Sequence, residues 1–250
     1  MINKILIGNW KMALGLSESH QLAKALADNL LPLPKGLKLV VCPSFPALSA
    51  VGAVLSNVAA LGAQNAHWEE VGAFTGEVAV SMLKELNCQY VIIGHSERRQ
   101  HFGETDQTVN IKVRACLGHG LTPIICVGET AAARQKKTTD KVVTRQLKAA
   151  LKGIELTPAA ALIIAYEPRW AIGTGDNCDP KEAVRVHFLL RELLKRLLPV
   201  GMSFKIIYGG SVAGKNIKSY WREPEIEGAL VGGASQTAEG FLALVKAVST

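Results

Sequence analysis

No C-x-x-C pair occurs in this chain. Its five cysteines, at positions 42, 88, 116, 126 and 178, are odd in number, and Cys42, Cys88 and Cys126 lie in or beside apolar runs. This argues against a disulfide framework and points to reduced, buried thiols in a cytosolic protein. No apolar run approaches the roughly 18 residues that span a bilayer. Ile5-Leu6-Ile7, between Lys4 and Gly8, is too short for the apolar region of a signal peptide. The expectation is a soluble, cytoplasmic protein with no membrane role. Aromatic residues are scarce, at 6%, and none is interleaved with the bases as stacking on nucleotides requires. The formal charge of +7 therefore reads as solvated helix faces, chiefly Arg134 to Lys152 and Arg185 to Arg196, with weak steering of a small anionic substrate and no nucleic-acid binding. No two acids and no His or Cys cluster stand at metal-ligand spacing, so neither a metal nor another cofactor is expected.

What is present is a repeated pattern. The 250 residues are 48% hydrophobic, enough for a sizeable core. Short apolar runs recur at Ile5 to Gly8, Leu37 to Cys42, Val58 to Ala63, Tyr90 to Gly94, Thr122 to Val127, Leu162 to Tyr166, Phe204 to Tyr208 and Gly228 to Val231. Between them lie amphipathic stretches, among them Ser17 to Leu31, Val78 to Leu86, Asp106 to Leu117, Lys141 to Leu151, Pro180 to Leu198 and Ala238 to Val248, with apolar positions at three- and four-residue steps. Thr105 and Asp179-Pro180 read as helix starts. Strand-helix units without a linker predict one α/β unit over 1–250, a (β/α)8 barrel of eight parallel strands ringed by helices. A doubly wound sheet is the alternative.

In such a barrel, functional side chains sit at the C-terminal ends of the strands. Those ends carry Asn9, Trp10 and Lys11; His95, Ser96 and Glu97; Glu167; Gly209, Gly210 and Ser211; and Gly232 and Gly233. The stretch AALIIAYEPRWAIGTGD, from Ala160 to Asp176, is the most informative. It puts Glu167 where a buried strand leaves the core, Pro168 fixes the next turn, and Gly173 and Gly175 loosen the segment after it. A base followed by a hinged loop reads as a lid over residues 168–178. The two Gly-rich turns after strands seven and eight offer bare N–H groups for a phosphate. Gly209 to Asn216, GGSVAGKN, imitates a nucleotide-binding P-loop but has Asn216 where magnesium needs a hydroxyl. A carboxylate, an imidazole and an ammonium beside a phosphate site suit proton abstraction next to a carbonyl. Glu167 would take the proton, His95 would pass one between two oxygens, and Lys11 would stabilise the negative charge.

With these residues in view, the chain resembles the triosephosphate isomerase family along its length. The resemblance rests on GNWKM at 8–12, GAFTGE at 72–77, IIGHSERR at 92–99, AYEP at 165–168, WAIGTG at 170–175, YGGSV at 208–212 and LVGGAS at 230–235. It implies the TIM-barrel fold and cofactor-free, metal-free interconversion of dihydroxyacetone phosphate and D-glyceraldehyde 3-phosphate, as in glycolysis and gluconeogenesis, through an enediolate. Glu167 would be the base, neutral His95 the proton shuttle and Lys11 the electrostatic stabiliser, with Asn9 in the pocket and Glu97 behind it. Gly173, Ser211, Gly232 and Gly233 would contact phosphate, with Asn9 and Lys11 touching the substrate. Pro168, Arg169, Trp170, Ala171, Ile172, Gly173 and Thr174 would form the lid. The resemblance also implies a homodimer whose 64–77 loop enters the partner, with Gln64, Asn65, Phe74, Thr75, Glu77 and Arg98 at the interface; Trp68 and Phe74 look exposed.

The chain departs from the family at four places. Arg169 replaces a small apolar residue at the first hinge and is expected to change lid closure, and Asp176-Asn177-Cys178 replaces the usual second hinge. Cys178 reads as a small hinge residue or an exposed thiol. Ala13 and Gln236 stand where Asn and Leu are usual, touching the expected interface and the start of the last helix. A different phosphate-binding barrel enzyme, or an idle barrel used for binding, are the other readings.

Overall fold

The computed structural model describes residues 4–172 and 177–249. Eight parallel strands close into one barrel in sequence order: β1 (Lys4–Asn9), β2 (Leu37–Cys42), β3 (Ala60–Ala63), β4 (Cys88–Ile93), β5 (Thr122–Val127), β6 (Ala161–Tyr166), β7 (Ser203–Tyr208) and β8 (Gly228–Val231). Closure overturns the doubly wound alternative, because β8 pairs with β1 from Ile5↔Gly228 to Gly8↔Val231. Gly228, with φ of 159°, lets the two backbones meet; a side chain there would overlap the Ile5 carbonyl oxygen.

The helices are α1 (Leu16–Asn29), α2 (Leu48–Leu55), α3 (Val80–Glu85), α4 (Ser96–His101), α5 (Asp106–Gly118), α6 (Ala131–Gln135), α7 (Thr139–Leu151), α8 (Pro180–Leu197), α9 (Ile217–Trp221) and α10 (Ala238–Val248). Local chemistry sets several boundaries. Thr105 Oγ1 accepts from Thr108 N at 3.2 Å, and Asp179 Oδ1 accepts from Lys181 N at 2.8 Å with Pro180 opening α8, as expected. The first helix starts before Ser17, because the Glu18 carboxylate reaches back to Gly15 N at 2.8 Å. β3 starts only at Ala60: the N–H groups of Val58 and Ala59 are spent on Leu55 O, closing α2.

Two apolar layers result. Ile5, Ile7, Val40, Tyr90, Ile92, Ile124, Ile163, Ala165, Ile207 and Leu230 fill the barrel, while the alternate residues pack under the helices. The inward positions therefore run at odd numbers in β1 and β6, and that parity carries past the strand ends to the site. All five cysteines are free and buried. Among the described residues no helix is long and apolar enough to cross a membrane.

Candidate active site

Extending the inward parity by one step places Asn9 after Ile7, Glu167 after Ala165, Gly128 after Cys126, Gly209 after Ile207 and Gly232 after Leu230, all at the barrel mouth. The glycines make room for the others. A methyl at residue 128 would overlap the Glu167 carbonyl oxygen, and one at 209 would come within 2.8 Å of Glu167 Cγ. His95 breaks the parity because Gly94, at φ 74°, turns the chain before α4. A cavity of about 470 Å³ is lined by Asn9, Lys11, His95, Glu167, Gly210, Ser211, Gly232 and Gly233; of the other strand-end residues, Trp10 is in the core, and Ser96 and Glu97 lie outside this lining.

Glu167 is only 2% exposed. Its Oε2 accepts from Ser96 N at 2.9 Å, but Oε1 has no hydrogen-bond partner, although His95 Nε2 stands 3.2 Å away. A buried carboxylate oxygen left unpaired costs stability, and such groups concentrate where chemistry needs them. His95 accepts at Nδ1 from Glu97 N, the first turn of α4, at 3.3 Å. Asn9 Nδ2 lies 3.4 Å from His95 Nε2; the Asn9 amide is oriented by Lys11 N, which donates to Oδ1 at 3.0 Å.

Lys11 has φ of 53°, an uncommon conformation for a non-glycine residue. Contacts to it and to its neighbours hold it. Gln64 Nε2 donates to Lys11 O at 2.8 Å and to Cys42 O at 2.9 Å, Lys11 Nζ donates to Glu97 Oε1 at 2.5 Å, and Gln236 Nε2 donates to Trp10 O at 3.3 Å. Burial disfavours ionisation of Glu97, but the Lys11 hydrogen bond and the nearby positive charge outweigh it and leave its carboxyl below the ordinary value. Opposite, Ser235 Oγ, buried, lies 2.7 Å from Gly232 O and 2.9 Å from Val231 O, and so braces the turn that carries Gly232 and Gly233. Asn216, the residue that spoils the P-loop pattern, closes the neighbouring turn: Oδ1 accepts from Ala213 N at 2.8 Å, while Nδ2 donates to Ser211 O at 3.1 Å and Asn177 Oδ1 at 3.2 Å. Lys215 points to solvent, outside the cavity.

One residue of the site went unread in the sequence. Glu129, fully buried after β5, accepts from Trp170 Nε1 at 2.8 Å and from Tyr166 Oη at 3.2 Å, and its carbonyl accepts from Arg169 N at 3.1 Å. It fastens the segment directly after Glu167. Arg134 covers Trp170 at 4.0 Å from the ring. The Arg169 side chain, flagged as a departure, donates from Nη2 to Gln100 Oε1 on α4 at 3.2 Å. Pro168 to Ala171 make a short 3-10 turn and Ile172 lines the cavity, whereas Gly173, Thr174, Gly175 and Asp176 lie outside the described residues. Cys178 is buried, its thiol pushed up to about 12 chiefly by burial and partly countered by Arg134, which contradicts the exposed-thiol alternative.

The 64–77 loop divides in two. Gln64 is used as above. Asn65 is buried and accepts from Lys112 Nζ at 2.7 Å, and Arg98 pairs with buried Glu104 at 3.2 Å. Residues 69–77, with Phe74, Thr75 and Glu77, are exposed. Trp68 is not: it is half-buried, stacked on His67 at 4.1 Å. Phe74 leans on the same ring at 4.5 Å.

A family model described as triosephosphate isomerase matches residues 4–248. Curated proteins named triosephosphate isomerase are similar over nearly the whole chain. That of Prosthecochloris aestuarii is 46% identical over 250 residues, 99% of this chain and 98% of its own length. Those of Picosynechococcus and Carboxydothermus hydrogenoformans are each 47% identical, over 98% of this chain and 98% and 99% of their own lengths.

Proposed function

This chain belongs to the triosephosphate isomerase family, and from that premise we propose that its cavity interconverts dihydroxyacetone phosphate and D-glyceraldehyde 3-phosphate by proton transfer through an enediolate. The observation that carries the reading is the buried Glu167 with its unpaired Oε1 facing His95 Nε2. Glu167 removes the proton from the carbon next to the carbonyl. Negative charge then grows on the carbonyl oxygen, where the Nε2–H of neutral His95, the Asn9 amide and the Lys11 ammonium converge. His95 gives its Nε2 proton to one oxygen and recovers one from the other, and Glu167 returns its proton to the adjacent carbon. A positioned base supplies on the order of 10² to 10⁴ in rate, and an oxyanion donor roughly 3 to 4 kcal/mol. The remainder requires exclusion of water, which we assign to residues 168–178 closing as a lid.

The backbone N–H groups of Ser211, Gly232 and Gly233 form the phosphate end of the cavity, with Gly173 contributing from the lid. Lys11, tethered to Glu97, adds the cation. The cavity volume of about 470 Å³ suits a three-carbon phosphate.

The working unit in this reading is a homodimer. Beside Lys11, Phe45, Gln64, Glu97 and Arg98 lies a second cavity of about 310 Å³, rimmed by the exposed Met12 and Phe102. The exposed tip of the 64–77 loop, carrying Val71, Phe74 and Thr75, has the size and apolar character to fill it on a second copy.

Turnover in D2O tests the proton route. The glyceraldehyde 3-phosphate formed should carry deuterium at carbon 2, because the proton on Glu167 exchanges with solvent, and Glu167→Gln should abolish the labelling with the turnover. Product wholly free of deuterium would mean a direct hydride shift and would end the enediolate reading.

A further inference from the structure

We infer that the outer face of α6 and α7 is a docking surface for an acidic segment of another protein that ends in an apolar residue. This goes beyond the catalytic reading. Residues 131–152 carry seven bases against the single acid Asp140, a surplus of six out of the chain's +7. The two basic stretches of the sequence are not alike once folded. On α8 three of the five bases are neutralised: Arg185 by Glu182 at 2.9 Å and Asp140 at 2.8 Å, Arg191 by Glu225 and Glu227 at 2.8 Å each, and Lys195 by Glu192 at 2.7 Å. The one acid of the α7 face is thereby consumed by its neighbour. On α6 and α7, Arg134 is turned inward over Trp170 and Arg145 leans on Asp106 at 3.3 Å, but Lys136, Lys137, Lys141, Lys148 and Lys152 are exposed with no carboxylate partner among the described residues.

Lys141, Arg145, Lys148 and Lys152 follow at steps of four, three and four, so they form a line roughly 16 Å long within about 60° of arc. Like charges at these spacings work against the helix, and of the four only Arg145 has a carboxylate partner among the described residues. The line ends at a cavity of about 430 Å³ whose walls are Leu151, Ile154, Leu156 and Leu197 and whose rim is Lys148 and Lys152. Cations leading to an apolar pocket fit a run of carboxylates closed by one large apolar side chain. No large apolar side chain of residues 131–152 is exposed for insertion into a bilayer, and no aromatic stands among the bases for nucleotide stacking.

The test uses a fluorescein-labelled glutamate run ending in leucine and its twin ending in serine, with binding read by anisotropy. The expected result is binding of the leucine peptide at low salt that weakens as NaCl rises. It should also weaken about tenfold or more in Lys141→Glu/Lys148→Glu/Lys152→Glu, with isomerase turnover unchanged. Leu197→Ser should weaken the leucine peptide several-fold and leave the serine peptide alone. Should the reversed variant fold poorly, the three Lys→Gln changes are held to the same result. Equal affinity in the charge variants, indistinguishable peptides, or tighter capture of phosphatidylserine vesicles or duplex DNA through the same lysines would overturn the proposal.

Discussion

Two buried groups with an unpaired polar atom show how residue-scale chemistry separates function from structure. Glu167 Oε1 opens on the cavity among other polar side chains. His187 Nε2 is equally unpaired, but it sits inside α8 with the ring edge-on to Tyr166 at 6.1 Å. Burial, assisted by the Arg191 charge and opposed by the bond to Glu225 O, holds this imidazole down at about 3. Below the ordinary value near 6.5 the unfolded chain takes up a proton that the folded ring refuses, so stability present above that pH is lost as pH falls towards 3. The slope approaches about 1.4 kcal/mol per pH unit. Urea unfolding of His187→Asn between about pH 6.5 and 4 should show that much less pH dependence than wild type; parallel curves would contradict it. Asn9 and Glu167 were legible in sequence because each follows an apolar run that reads as a buried strand, at the end where a barrel carries its functional side chains. Glu129 was not. Its meaning comes from Trp170 and Tyr166, about 40 positions away in the chain, and a lone Glu after a glycine carries no sign of that.

At the scale of elements, the apolar runs marked every strand to within a residue or two, since a strand buried on both faces must be apolar throughout. α1, α3, α5, α7, α8 and α10 were legible from their amphipathic period, whereas α2, α4, α6 and α9 are too short or too uniformly apolar to show one. The site depends on one of those unread helices. α4 supplies the Ser96 N–H that holds Glu167, the Glu97 carboxylate that holds Lys11, and Gln100, which holds Arg169. Arg169 thus ties the segment after the base to the helix that positions the base. An exposed bond of this kind is worth about 1 kcal/mol or less. Arg169→Val should accelerate opening and allow more of the enediolate to eliminate phosphate. The expected change is a two- to fivefold rise, roughly, in methylglyoxal per turnover with kcat changed by no more than that factor. Unchanged methylglyoxal and unchanged kcat would mean the contact has no part in closure.

At the scale of the whole molecule, closure of the barrel was an inference of economy from sequence. Repeated strand-helix units fit a closed barrel and an open sheet alike, and what decides is β8 meeting β1 at Gly228, a contact between the two ends of the chain. Assembly is a matter of the same scale. Met12 at 96% and Phe102 at 68% exposure rim one cavity, and Val71 at 85% is exposed on the 64–77 loop, so a second copy would cover apolar side chains at both places. Sedimentation should therefore give a two-chain mass for the wild type and a one-chain mass for Phe74→Asp, with turnover falling as the copies part. A wild type sedimenting as one chain while fully active would refute the dimeric reading.

The most direct measurement is a coupled assay of triose-phosphate interconversion on purified protein with chelator present, wild type beside Glu167→Gln. The expected result is fast turnover indifferent to chelator, lowered by a factor on the order of 10² to 10⁴ in the variant. Turnover that survives the substitution, or a wild type inactive on both triose phosphates, would contradict the assignment of Glu167 as the base and with it the account of the cavity.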